Sequence, residues 1–322
     1  MRVGAAACWP LDELLGATMS SGRAPDLVDS VAALLPGAVP PAAVLPRAVL
    51  LVLPAVIPTA AVLAVGLGSG VAQSLGLLPL VGKPRASVDA YTEVLNSGDL
   101  GPSVLVTLGV AGVSSLLAVV VGTAVALAVH RRRPTGHLLG ALATATVPVP
   151  HLIGAVAFGL LLSDSGLVAR ALGAPSGGFP QLVAGPWWIA VILEYAWKES
   201  AFVALVVLAA LRTRAVQYEA TAAVLGAAPW QRFRAVTLPL IAPAVLATGT
   251  IAFSYCVGSY EVAWLLGSSY PQPLAVNAYQ QFTTTDLLAR PQALALAMIA
   301  ATLALGVVIV GVASLRRTAV WR

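Results

Sequence analysis

Long apolar runs, bounded by glycine, proline or arginine, dominate the chain, and six of them reach the length of a membrane crossing. A helix rises about 1.5 Å per residue and the hydrocarbon layer is about 30 Å thick, so about twenty mostly apolar residues suffice. The runs lie near 47–70, 103–129, 136–162, 187–211, 239–260 and 292–314. Two are interrupted. The first carries Pro54 and Pro58, whose missing backbone donors neighbouring helices can compensate. The fourth carries Glu194, Lys198 and Glu199, which need partners. The pattern predicts an all-α polytopic membrane protein with six transmembrane helices.

Composition agrees. Hydrophobic residues make up 59% of the 322 and charged ones 10%, with a mean hydropathy of +0.90, more apolar than a soluble core of this length requires. The net charge of +5 comes from arginines at the edges of apolar runs rather than in an aromatic-studded patch, so it reads as a topology signal and no nucleic-acid site is expected. With the N-terminus inside, thirteen basic residues fall on inner segments: Arg2, Arg23, Arg47, Arg131, Arg132, Arg133, Arg212, Arg214, Arg232, Arg234, Arg316, Arg317 and Arg322. Four fall outside, Lys83, Arg85, Arg170 and Arg290, and Lys198 lies within a span. Both termini are therefore expected in the cytoplasm. Cys8 and Cys256 lie far apart with no metal-ligand spacing, so neither a disulfide framework nor a metal site is expected.

Residues 1–43, rich in Ala and Pro with Asp12, Glu13, Asp26 and Asp29, read as a flexible cytoplasmic tail, and translation could begin at Met1 or Met19. Residues 44–102 hold the first span and an outer loop, and 103–316 the core of the membrane domain. Short amphipathic pieces, "SVDAYTEVLNS" and "GLVARALG", are expected on the membrane surface within outer segments 71–102 and 163–186. No internal repeat stands out.

One inner segment, about 212–238, is not mostly greasy. In "YEATAAVLGAAPWQRFRAVTLPLIAP", residues 218–243, Tyr218, Ala222 and Leu225 recur at helical spacing, and Pro229, Phe233 and Val236 continue the stripe. Gly226 can end one helix and Pro229 open another, so two short helices are expected to meet at a bend, with Leu238 and Pro239 stopping the second. A connection of about twenty-five residues with an apolar stripe has a surface to bury. It can lie in a groove of another protein, or pack against the inner ends of its own helices.

This stretch resembles the cytoplasmic EAA loop of membrane-spanning subunits of binding-protein-dependent ABC importers. That pattern runs Glu-Ala-Ala, three residues, Gly, nine residues, an aliphatic, one residue, Leu-Pro. Gly226, Val236, Leu238 and Pro239 stand at the family spacings. The glutamate does not: the family places it where this chain has Ala220, and Glu219 stands one residue early, turned by about 100° on a helix. The resemblance extends from about residue 90 to the C-terminus. "YAWKESAFVALVVLAAL" and "GSYEVAWLLGSSYPQPLAVNAYQQFTTTDLLARPQALALAMI" resemble the branch that includes spermidine/putrescine permeases. The resemblance implies a MetI-like permease architecture in the cell membrane, a second permease subunit, an ATPase dimer inside and a substrate-binding protein outside. It also implies that the loop docks in a cleft of the ATPase, with a small, polyamine-like solute carried between the permeases.

Within the membrane, Glu194 and Lys198 share a helical face with the acid toward the N-terminus, the better orientation for a pair. An unpartnered Lys198 at mid-span costs about 3 kcal/mol on insertion scales, so Glu194 or Glu199 is expected to meet it. Glu194, Tyr195 and Lys198 can face a translocation cavity or fix helix packing. Tyr255, Tyr260 and Glu261 gather near the outer end of the fifth span, where Glu261 could attract an ammonium group or be solvated. Trp187, Trp188 and Trp197 read as interface anchors or packing. Pro148 and Pro150 should kink or unwind the third span just before His151, while His130 and His137 flank Arg131–Arg133. "GLLPLVGKP" at 76–84 lacks the spacing of a phosphate loop and has Pro84 at its Ser/Thr position, and no GxSxG, HExxH or Cys/His cluster occurs. No catalytic residue and no cofactor are expected. The alternatives to a permease subunit are an ion-coupled secondary transporter using Glu194, Lys198 and Glu261, and a membrane enzyme or assembly scaffold.

Overall fold

The computed structural model describes residues 41–131, 134–175 and 177–319. The expected tail at 1–43 lies almost wholly outside them. The described residues form helices and connections with no strand. In chain order these are α1 (Pro41–Ser74), α2 (Asp89–Asn96), α3 (Leu100–His130), α4 (Pro134–Thr146), α5 (His151–Leu162), α6 (Leu167–Ala171), α7 (Ile189–Val224), α8 (Pro229–Arg232), α9 (Leu238–Gly258), α10 (Glu261–Leu266), α11 (Leu274–Thr283) and α12 (Arg290–Ala319). A π turn, Phe233–Thr237, joins α8 to α9, and a 3-10 turn, Leu287–Ala289, precedes α12.

Among the described residues, five stretches are long and apolar enough to cross a membrane: Val52–Ser74, Leu100–His130, His151–Ala171, Pro229–Gly258 and Leu287–Arg316. The expected fourth span lies in α7, whose Glu194, Lys198 and Glu199 make it too polar to read as lipid-facing throughout. The contact pattern divides the chain at Gly66. Before it, Val52–Gly66 of α1 is exposed along its whole length, as suits a helix with lipid around it. From Leu67 onward the chain forms one packed body.

That body is built on the pairing of α3 with α7. The buried face of α3 is almost entirely small: Ser103, Thr107, Ala111, Ser114, Ser115, Ala118, Gly122 and Ala126. Small residues at three- and four-residue spacing let two backbones approach closely, which is what packs helices where lipid provides no hydrophobic drive. Gly122 is the closest point, since a Cβ there would stand 2.5 Å from the Ser200 carbonyl oxygen and 2.7 Å from Val203 Cβ. Val203, Val207, Leu211 and Ala215 of α7 supply the complementary stripe, joined by Ile241 of α9. At the other end, Val191 and Tyr195 of α7 pack with Ala155 of α5, Val257 of α9 and Val262 and Leu266 of α10. Trp188 is buried in that cluster, over Gly267, whereas Trp187 is exposed. A third cluster joins α2 and α11 to α12 through Val94, Leu274 and Leu296.

The third span breaks where its prolines were expected to kink or unwind it: α4 ends at Thr146, and Val147–Pro150 is unwound before α5 starts at His151, because Pro148 and Pro150 carry no N–H for an intrahelical bond. Two other expectations change. The first helix of the 218–243 stretch is not separate but the last turns of α7, which at 36 residues is about 54 Å long. Nor does Leu238–Pro239 stop the second. Proline is tolerated in the first turn of a helix, and the π turn widens to pass directly into α9.

Candidate functional site

The end of α7 and the start of α9 enclose an open apolar groove of about 390 Å³. Tyr218, Thr221, Ala222 and Leu225 form one wall, and Ala235, Val236, Pro239 and Leu240 the other. The bend between the walls is fixed by backbone. Gly226 takes φ +82°, its N–H donates to the Ala223 carbonyl at 3.0 Å, and the Ala227 N–H donates to the Ala222 carbonyl at 3.0 Å. Both bonds satisfy carbonyls at the helix end, and the left-handed residue between them favours glycine. Pro229 then opens α8, and the Gln231 side chain accepts from the Ala228 N–H at 2.9 Å.

Leu225 is 81% exposed, and Val224, Tyr218 and Trp230 also stand in the open. Phe233 does not extend this surface. It is half-buried, stacked on Trp230 at 5.5 Å between centroids, with the Arg131 guanidinium 5.9 Å from its ring. The expected stripe is thus divided: Tyr218, Ala222, Leu225, Val236 and Pro239 line the groove, while Pro229 and Phe233 shape the bend. Ala220 and Leu238 are exposed beside it. Thr221, Ala235 and Leu240 were not part of the stripe: Thr221 is polar and was placed on another face, and for Ala235 and Leu240 the π turn shifts the register of the second half away from 3.6-residue periodicity.

Glu219 turns toward its own chain. One oxygen lies 3.3 Å from His130 Nε2 at the end of α3, and the other accepts from the Thr237 hydroxyl in the π turn. The side chain thereby ties three elements at the base of the groove.

A second polar assembly lies inside the bundle. Lys198 does not pair with either glutamate within ion-pair distance; its ammonium donates to the carbonyls of Thr146 (2.8 Å), Val147 (2.9 Å) and Val149. The Val147 and Val149 carbonyls are left open by the break in the third span, whereas that of Thr146 also accepts from the Val149 N–H at 3.1 Å; in hydrocarbon an unsatisfied carbonyl is costly. The glutamates flank His151 instead. Glu194 Oε1 lies 3.4 Å from Nδ1 and Glu199 Oε1 3.7 Å from Nε2. The imidazole stacks on Tyr255, centroids 4.7 Å apart. Gly154 makes room for the acid, since a Cβ there would stand 2.7 Å from Glu194 Oε1.

Glu194 and Tyr195 are fully buried in the single chain, Tyr195 donating to the Ser259 carbonyl at 3.5 Å. Tyr260 and Glu261 sit apart from them. Tyr260 stacks on Tyr279 at 4.3 Å beside a cavity of about 320 Å³ lined mainly by alanines of α11 and α12, and Glu261 is exposed in the first turn of α10.

Residues 114–318 match the family described as binding-protein-dependent transport system inner membrane component. The chain belongs to that family. This permease is 28% identical over 211 residues to the "Molybdenum transport system permease protein ModB" of Mycobacterium bovis, covering 64% of this chain and 77% of the relative. It is 26% identical over 210 residues to the "Sulfate transport system permease protein CysT" of Escherichia coli, covering 65% and 74%. Among solved structures, a chain of a "bacterial ABC transporter involved in the import of the acidic polysaccharide alginate" superposes with a TM-score of 0.68 at 21% identity, covering 84% of this chain and 96% of that one. A chain of the alginate transporter "in complex with alginate pentasaccharide-bound periplasmic protein" gives 0.64 at 20% identity, covering 82% and 93%. The fold is that of ABC importer permeases, and the protein is a multi-pass permease of the cell membrane.

Proposed function

We propose that this permease forms, with a second permease subunit, the pathway of an ATP-driven importer, and that the α7–α9 groove is where an ATPase subunit grips it. The exposed apolar groove carries the reading: Leu225 and Val236 face each other across a rigid bend, at the end of a 36-residue helix that runs through the bundle. A cleft that closes on nucleotide could move such a lever and with it α7 and α9. The groove then lies in the cytosol with both termini, α7 supplies a sixth span, and a binding protein delivers solute at the opposite face. Retention of an ATPase on copurification, lost in the Leu225→Asp, Val236→Asp double variant while the permease still inserts, tests this. An ATPase retained undiminished overturns it. Uptake driven by an ion gradient without ATP would favour a secondary transporter.

The solute is the finer question. The relatives named for molybdenum and sulfate support an oxyanion; the exposed Glu261 and the resemblance to spermidine/putrescine permeases support a polyamine-like cation. Glu194, Tyr195 and Lys198 then serve the pathway by fixing the broken span beside it, and Tyr260 and Glu261 stand nearest its outer mouth. Competition of labelled molybdate uptake by excess sulfate against excess spermidine, in membranes holding the whole importer, separates the two.

A further inference from the structure

We infer that His151, Glu194 and Glu199 form a proton-binding site within the membrane domain, occupied by one proton that makes His151 an imidazolium bridging two carboxylates of α7. Each ring nitrogen faces a carboxylate oxygen, Nδ1 toward Glu194 at 3.4 Å and Nε2 toward Glu199 at 3.7 Å. A neutral imidazole has one donor and one acceptor nitrogen, so one of its two faces would oppose a lone pair to an ionised oxygen. Only the doubly protonated ring has a donor for both.

Lys198 is the other positive charge near the two carboxylates. Glu194 is 0% exposed, and neither its carboxylate oxygens nor His151 Nδ1 has a hydrogen-bond partner, so the ring and the acids meet at ion-pair distance. Lys198 is directed to three backbone carbonyls. From α9 come Tyr255, stacked on the ring, and the thiol of Cys256; from α7 itself comes Tyr195; and α10 adds the acid Glu261. No acidic or basic residue occurs on α3 between Leu100 and Val129, and α4 brings only His137, which lies beside Arg212 in a separate cavity. Two carboxylates against one ammonium leave the group at −1, and a buried charge of that kind is disfavoured in hydrocarbon. One proton brings it to zero. The way in is His151, whose side chain is 17% exposed against 10% for Glu199 and 0% for Glu194. The proton comes from water and returns to it, with no other group changed.

The test is nitrogen-15 NMR of histidine-labelled importer in lipid nanodiscs at pH 7. The chain has three histidines, so the His151 signal is assigned by its loss in His151→Gln or, should that variant not assemble, as the signal that survives His130→Gln with His137→Gln. The expected result is both ring nitrogens protonated in the wild type, with conversion to a neutral ring in Glu194→Gln, Glu199→Gln. A neutral tautomer in the wild type overturns the site, and so does a protonated ring that persists in the double variant. Neither readout depends on the ATPase or on the solute.

Discussion

The groove at the end of α7 and the assembly around Lys198 lie on the same helix and use opposite physics. At Lys198 every ammonium proton is satisfied within the chain, and the residue's worth lies in what would be orphaned without it. At the groove, large apolar side chains stay in the open around a bend held by glycine and proline. A helix anchored inside the bundle at one end and exposed at the other is suited to carry a push. The buried end can hold the third span in its broken form, while the exposed end waits for a partner.

Substitutions at the two ends should therefore fail differently. Lys198→Met leaves the Val147 and Val149 carbonyls without their ammonium donor and removes a positive charge near the glutamates, for a loss on the order of 3 kcal/mol; thermal melting in detergent should show it, and little folded permease should remain. Leu225→Asp should leave melting unchanged yet cut ATP-driven uptake by about tenfold or more, as a charge buried at a docked interface does. Phe233→Asp is a less clean probe, because it also breaks the stack on Trp230 and so should lower the melting temperature. Gly226→Ala meets no atom within 4 Å, so its cost is the left-handed backbone alone, about 1 kcal/mol, seen as a several-fold fall in uptake. Glu219→Gln keeps an acceptor for Thr237 and loses only the charge facing His130, about 0.5 kcal/mol, so its uptake should stay within twofold of wild type.

The same contrast separates what could be read in the sequence from what could not. Apolar length placed four of the six runs on stretches long enough to cross, while the third run is split between α4 and α5 and the fourth lies in α7, and the Gly226–Pro229 bend was legible because both residues restrict backbone in known ways. The partner of Lys198 was not. Helical spacing pointed to Glu194, whereas the true acceptors are carbonyls some fifty positions earlier, created only when Pro148 and Pro150 unwind the span. Pro239 misled in a related way, since it reads as a stop but is accommodated by a π turn that periodicity does not register. The helices α10 and α11 were missed because their short apolar runs are too brief to stand out beside spans of twenty residues or more.

The claim that the α7–α9 groove receives the motor is tested most directly by crosslinking. In a chain with Cys8 and Cys256 replaced by serine, a single cysteine at Leu225 or Val236 should form a disulfide with a cysteine placed in the cleft of the ATPase, at a yield that changes when nucleotide is added. Absence of any such disulfide from both positions, in an importer that still transports, would contradict the account.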